Sequence, residues 1–333
     1  MKRFVKAACG VVAAATALLF TAAPAHAEAG VDFERAFDNA LGTEARAPRS
    51  YDDPFEWRIA TLAEASQGRI GVAAIDLSSG HQIDVLGSQR FPMASTSKIA
   101  IAATFLEGVD QGRWSLTSEF PLLIPVKSAK HSSAVAPVRR GNYMPAHELI
   151  EIMITRSSNS ATDALLAVVG GPRAVNDWAR RAGIDDFQIT RDIATLVRDD
   201  GAVDPAAVID PRDSATPLAM TQLLTGIYQG RWLSPRSRSV ILGAMERCRT
   251  GKRRIPAQMP PEARVAHKTG SLYNTSSDIG IIHTPDGRAM AVAIYVTGQG
   301  SRLNREARIA SIARAIYDGY ASQPMNFRRQ ARR

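Results

Sequence analysis

The chain has 333 residues, with 41 Lys and Arg against 32 Asp and Glu, a formal net charge of +9 and two cysteines. That length is ample for a self-sufficient core and fits one compact unit of two lobes better than a string of domains. The basic balance favours anionic substrates or a polyanionic envelope, but no Lys/Arg run with interleaved aromatics is present, which excludes a nucleic-acid partner.

Residues 1–27 carry Lys2, Arg3 and Lys6, then an apolar run, then Ala25-His26-Ala27, the pattern of a secretory signal peptide with A-x-A cleavage. The apolar run is too short to be a stable membrane span, so a periplasmic or secreted protein is expected. Cleavage would leave Cys248 as the single cysteine, without an intramolecular disulfide. Its place at a predicted helix end reads as a packed thiol. Residues 28–50 read as a lead segment and 51–323 as the folded domain. The basic residues of 324–333 read as a frayed tail.

Within the domain, a short helix over about 54–65 precedes a strand, turn and strand over 70–85, with Ser78-Ser79-Gly80 at the turn. From Ser95 to about Gly230 the periodicity is helical. Thr216-Pro217 and Ser234-Pro235 supply cap and first-turn pairs for two of its helices. Strand periodicity returns over 265–272, 278–283 and 290–296, and an amphipathic helix closes the domain over about 304–320. The expected class is α+β: a mostly antiparallel sheet built from both chain ends with flanking helices, and an all-helical lobe inserted between them.

Ser95-Thr96-Ser97-Lys98 pairs a hydroxyl with an amine three residues on. At a helix start the two side chains share a face, which makes a nucleophile with its base. Alone the spacing is weak. Downstream, however, lie Ser157-Ser158-Asn159 and, after Val265-Ala266-His267, the triplet Lys268-Thr269-Gly270. Together these resemble the S-x-x-K, S-D-N and K-T-G motifs of class A β-lactamases and penicillin-binding proteins. The resemblance extends over about residues 55–322.

The resemblance implies an exported serine hydrolase that opens β-lactam rings through an acyl-enzyme on Ser95. Lys98 is then its base and Ser157 the relay to the leaving nitrogen. Asn159 is implied to hold the substrate's side-chain amide and Lys98. Lys268 and Thr269 would receive the substrate carboxylate, Gly270 would keep the strand open, and the Ser271 N–H would join that of Ser95 around the oxyanion. Ser158 stands where the family usually has Asp, and Ser277 where many relatives place an arginine. Arg254, in the segment Arg254 to Pro260 that matches R-I-x-A-x-x-P, is the expected carboxylate clamp. The histidines lack metal-ligand spacing, so no metal or other cofactor is implied, and His267 reads as a strand residue near the site. A monomer is expected.

One departure concerns the loop that in class A β-lactamases carries E-x-x-L-N, whose Glu activates the deacylating water. No such segment exists here. Aligned from the left, Leu196 falls near the glutamate and no base is present. Aligned from the right, Arg198 and Asp213 have the spacing of the family's loop-clamping pair and Asp200 takes the glutamate's place, with Asp204 at the asparagine. The second alignment is adopted, with an insertion of about four residues, and slow deacylation is expected. The alternatives are a D,D-peptidase acting on cell-wall peptides and a non-catalytic β-lactam- or peptidoglycan-binding relative.

Overall fold

The computed structural model describes residues 53–323. The expected signal peptide at 1–27, the lead segment at 28–50 and the tail at 324–333 lie outside them.

Helix α1 (Pro54–Leu62) starts where its sequence dictates: Asp53 accepts the Phe55 N–H, and Pro54 occupies the first turn, where its missing N–H has no helical partner anyway. Strands β1 (Ile70–Asp76) and β2 (Gln82–Val85) form a hairpin, and the short strand β3 (Phe91–Pro92) leads into a 3-10 turn, Ala94–Ser97. Helix α2 (Lys98–Asp110) follows directly, then the hairpin β4 (Glu119–Pro125) and β5 (Val138–Pro145). Helices α3 (Ala146–Thr155), α4 (Asn159–Val169) and α5 (Gly171–Arg181) come next, with Gly170 at φ 105° turning the chain between the last two. Beyond them lie β6 (Phe187–Gln188), α6 (Ile193–Arg198), β7 (Ser214–Ala215), α7 (Pro217–Tyr228) and α8 (Pro235–Glu246). A second 3-10 turn, Ile255–Gln258, precedes β8 (Arg264–Leu272), β9 (Thr275–His283), β10 (Ala289–Thr297) and α9 (Arg302–Ser322).

The main sheet is five-stranded, ordered β2-β1-β10-β9-β8, and antiparallel throughout. Both chain ends build it, and the helical lobe is inserted between β2 and β8, as the sequence predicts. β10 is buried along its whole length, and its alternation sorts two cores. Val292, Ile294 and Val296 pack with Ile309, Ile312 and Ile316 of α9. Ala291, Ala293 and Tyr295 face the helical lobe, together with Phe91, Ile99 and Leu223. Each of those fully buried large apolar side chains contributes about 1.5–3 kcal/mol.

The β4–β5 hairpin departs from the expected run of helices. Pro121 and Pro125 in β4 argue against a strand with neighbours on both sides, but a two-stranded sheet consists only of edges and tolerates them. No helix among the described residues is long and apolar enough to cross a membrane.

Candidate active site

Ser95 lies in the 3-10 turn and Lys98 at the first position of α2. In a 3-10 turn residues i and i+3 eclipse, so Ser95 and Lys98 share one face. Ala94, just before the nucleophile, is held at φ 50°, a left-handed conformation that Cβ-bearing residues rarely adopt. The Thr96 hydroxyl spans the Met93 carbonyl at 2.8 Å and Tyr295 Oη at 3.0 Å, pinning the turn to β10.

Lys98 is fully buried, and its Nζ donates to the Ser157 carbonyl at 2.8 Å and to Asn159 Oδ1 at 2.7 Å. Those two acceptors use both N–H groups of a neutral amine and leave its lone pair for a hydroxyl proton. Burial, then the charge of Lys268, drives the amine well below its ordinary value, while the Asp163 carboxylate opposes the shift. Ser157 Oγ lies 3.2 Å from Lys98 Nζ and 3.0 Å from Lys268 Nζ, so one hydroxyl bridges the two amines. Ser157 is held at φ 58°, and Ser158 behind it caps α4 by accepting the Ala161 N–H. Serine therefore performs the local capping task at this position.

β8 is an edge strand, so its outer side faces the Ser95 turn. Gly270 sits where the two approach: a Cβ there would meet the Met93 carbonyl at 2.6 Å and the buried Ser277 Oγ at 2.4 Å. Lys268 is fully buried and its pKa falls to about 8, chiefly through burial. Ser271 is exposed, while Thr269 Oγ1 contacts Thr250 Oγ1 at 2.7 Å.

Direct contact between Arg254 and substrate is corrected. Its guanidinium is 1% exposed and bonds the Gly270 and Ser277 carbonyls, Ser271 Oγ at 2.7 Å and Glu306. All its N–H groups are engaged, so Arg254 anchors Ser271 from beneath the strand instead of reaching over it.

The chain as a whole is similar to known proteins. A model of the beta-lactamase enzyme family matches residues 54–320. Beta-lactamase CTX-M-25 of Escherichia coli is 32% identical over 266 residues, 79% of this chain and 88% of the relative. CTX-M-8 of Citrobacter amalonaticus is 31% identical with the same coverage. An ancestral (GNCA) class A beta-lactamase superposes with TM-score 0.68 at 33% identity, covering 80% of this chain and 99% of that one. The chain belongs to the class A β-lactamase family.

Within this class A β-lactamase, the loop between β6 and β7 departs from the expected alignment. The ion pair at its neck is Arg191–Asp213, at 2.6 Å, and Asp213 also accepts the Thr190 and Arg191 N–H groups. Arg198 instead pairs with Asp199, so the Arg198–Asp213 clamp is not formed. The Asp200 assignment as deacylating base is corrected with it. Its carboxylate accepts the Tyr273 N–H at 2.9 and 3.0 Å, tying the loop to the end of β8. Asp204 accepts hydrogen bonds from Asn274 Nδ2 and the Ala206 N–H.

The acid that the sequence reading left without a role is Asp163, one turn beyond Asn159 on α4. Its two oxygens accept the Ile193 N–H at 2.7 Å and the Ala194 N–H at 2.9 Å, fastening the start of α6. Burial dominates and lifts its carboxyl to about 6, although those bonds and Lys98 act the other way. Helix spacing from Asn159 places Asp163 on the site's face, but only the fold reveals its partners thirty residues on. Among the described residues, no group of His, Cys, Asp and Glu is placed to hold a metal ion.

Proposed function

We propose that this protein is an exported serine hydrolase that opens β-lactam rings through an acyl-enzyme on Ser95 and releases it slowly. The observation that carries the reading is the Ser157 hydroxyl bridging Lys98 and Lys268 beside the Ser95 turn. Neutral Lys98 takes the Ser95 proton as Oγ attacks the ring carbonyl, and the Ser95 and Ser271 N–H groups receive the oxyanion. When the C–N bond breaks, Ser157 passes a proton from Lys98 to the ring nitrogen, which completes acylation. Lys268 and Thr269 bind the substrate carboxylate, with Arg254 holding Ser271 in place, and Asn159 binds the side-chain amide.

The loop supplies no carboxylate in the expected place, since Asp200 is bound to Tyr273. That observation favours a second reading, a D,D-peptidase-like protein whose β-lactam adduct persists. A chromogenic cephalosporin in excess separates the two. Slow hydrolysis gives a rapid colour burst of about one equivalent followed by a steady rate, whereas the peptidase reading gives the burst and then a flat trace. No burst at all would reject both.

A further inference from the structure

The β4–β5 ribbon carries a surface that the hydrolytic reading does not use. Its base is anchored: Phe120, Leu122, Leu123 and Met144 pack against the core between sheet and lobe. Its far end is built in the opposite way. Beyond the last ladder pair, Pro125 and Val138, the chain turns back through residues 126–137. Val126, Val135 and Val138 stand exposed there, with Tyr143 exposed nearer the base. Those are four of the nine exposed large apolar side chains among the described residues, so this one ribbon gathers nearly half of them.

Charge gathers in the same place. From Phe120 to His147 there is no Asp or Glu, while Lys127, Lys130, Arg139 and Arg140 are all exposed. Lys130 donates to the Asp200 carbonyl, but the side chains of Lys127, Arg139 and Arg140 make no ion pair or hydrogen bond among the described residues. The carboxylate that the tip does meet, Asp199, is paired with Arg198 and does not cancel these cations. The register sets Arg139 across from Ile124, Arg140 across from Leu123 and Val126 across from Pro137. Each face of the ribbon therefore carries an arginine beside a valine, Arg139 with Val126 on one and Arg140 with Val138 on the other. Unpaired charges on an exposed edge also deter strand-to-strand pairing. That task calls for the cations alone and leaves the neighbouring exposed valines without a reason. Cations and apolar groups interleaved without acids are what an anionic bilayer surface attracts, the first meeting headgroup phosphates and the second entering the interface.

We propose that the far end of the β4–β5 ribbon docks the protein reversibly on anionic lipid bilayers, with Lys127, Arg139 and Arg140 on the headgroups and Val126, Val135 and Val138 entering the interface. The same end is tied to the loop between β6 and β7. The His131 and Ala136 N–H groups donate to Asp199 at 3.1 Å and to Thr195 Oγ1 at 2.8 Å, and Arg198 donates to the Ser133 carbonyl at 2.8 Å. A docked ribbon therefore holds that loop beside the membrane surface. Val197, next to Arg198 on α6, is exposed as well and extends the apolar surface. The proposal stands apart from the hydrolase reading, and no arm of its test uses a β-lactam.

The test sediments the full chain with vesicles of phosphatidylcholine alone or of phosphatidylcholine mixed with phosphatidylglycerol. Binding should occur on the anionic vesicles only. Arg139→Gln with Arg140→Gln should weaken it about twenty-five-fold, roughly fivefold for each cation removed from the surface. Val135→Ser with Val138→Ser should also weaken it, while leaving retention on heparin, a soluble polyanion, unchanged. Brominated phosphatidylglycerol should quench the emission added by Val135→Trp but not that added by Leu303→Trp, an exposed position on α9. All these side chains are exposed, so the variants should keep the parent's urea midpoint.

Equal binding to both kinds of vesicle, or binding to neither, would overturn the proposal. So would binding to anionic vesicles that the arginine substitutions leave intact. Binding that the valine substitutions leave intact would assign the surface to a soluble polyanion and overturn the membrane contact as well.

Discussion

Lys98 shows what decides chemistry at the scale of single residues. Two carbonyl-type oxygens fix its amine, burial and Lys268 favour its neutral form, and Asp163 holds the balance from the opposite side. Asp163→Asn should therefore lower the Lys98 pKa further and move the acid limb of the acylation profile to lower pH. An unmoved limb would show that the carboxylate does not act on the amine. The same substitution has a stability signature. Burial lifts the Asp163 carboxyl from its ordinary 3.8 to about 6, so the folded state holds that proton more tightly. Its contribution to stability is thus lost as pH rises through that interval, by about 3 kcal/mol in all. Relative to the parent, Asp163→Asn should gain up to that amount between pH 4 and 6 in urea unfolding, and a constant difference would contradict the assignment. Ser95, Lys98, Ser157 and Lys268 were legible in sequence because short motifs place them and local helix geometry aims them. Asp163 was not, because its partners lie in another element. Arg254 was found by motif yet misread in role, since a sequence does not show that every N–H of a guanidinium is already engaged.

Elements succeed or fail as sequence signals according to whether their periodicity is local. β10 announces itself as a continuous apolar run and α9 by its apolar face, and the β1–β2 and β8–β9–β10 hairpins follow from the turns between those strands, whereas the β1–β10 pairing is tertiary. β4, with two prolines, does not. The loop from β6 to β7 was misaligned because several Arg and Asp spacings compete there and only tertiary contact selects Arg191–Asp213. That pair is largely buried, and Asp213 keeps its N–H bonds from Thr190 and Arg191 when the guanidinium is removed. Arg191→Ala should accordingly cost about 1.5–3 kcal/mol, the range for a hydrogen bond to a charged group, read as a lower urea midpoint. A loss under about 0.5 kcal/mol, no more than an ordinary surface substitution, would mean that the neck is held by other contacts.

Across the whole molecule, the sheet joins the two ends of the described chain while the helical lobe supplies Lys98 and Ser157, so the site exists only where lobe and sheet meet. Ile294 sits at the centre of β10, fully buried against α9, and contributes to that shared platform. Ile294→Ala should cost about 2–5 kcal/mol by the loss of buried methyl groups and the cavity left behind. Loss of fluorescence from the lobe's Trp178 and of sheet signal should coincide in one transition. Separate transitions would show that lobe and sheet unfold independently.

The central claim is that Ser95 becomes acylated in a site that releases the acyl group slowly. Incubating the protein with penicillin, quenching at intervals and weighing the intact chain before peptide mapping tests it most directly. The account predicts one added penicillin mass on the peptide containing Ser95, forming faster than it disappears, and none on Ser95→Ala. An adduct on another residue, an adduct surviving in Ser95→Ala, or ring opening with no detectable adduct would contradict it.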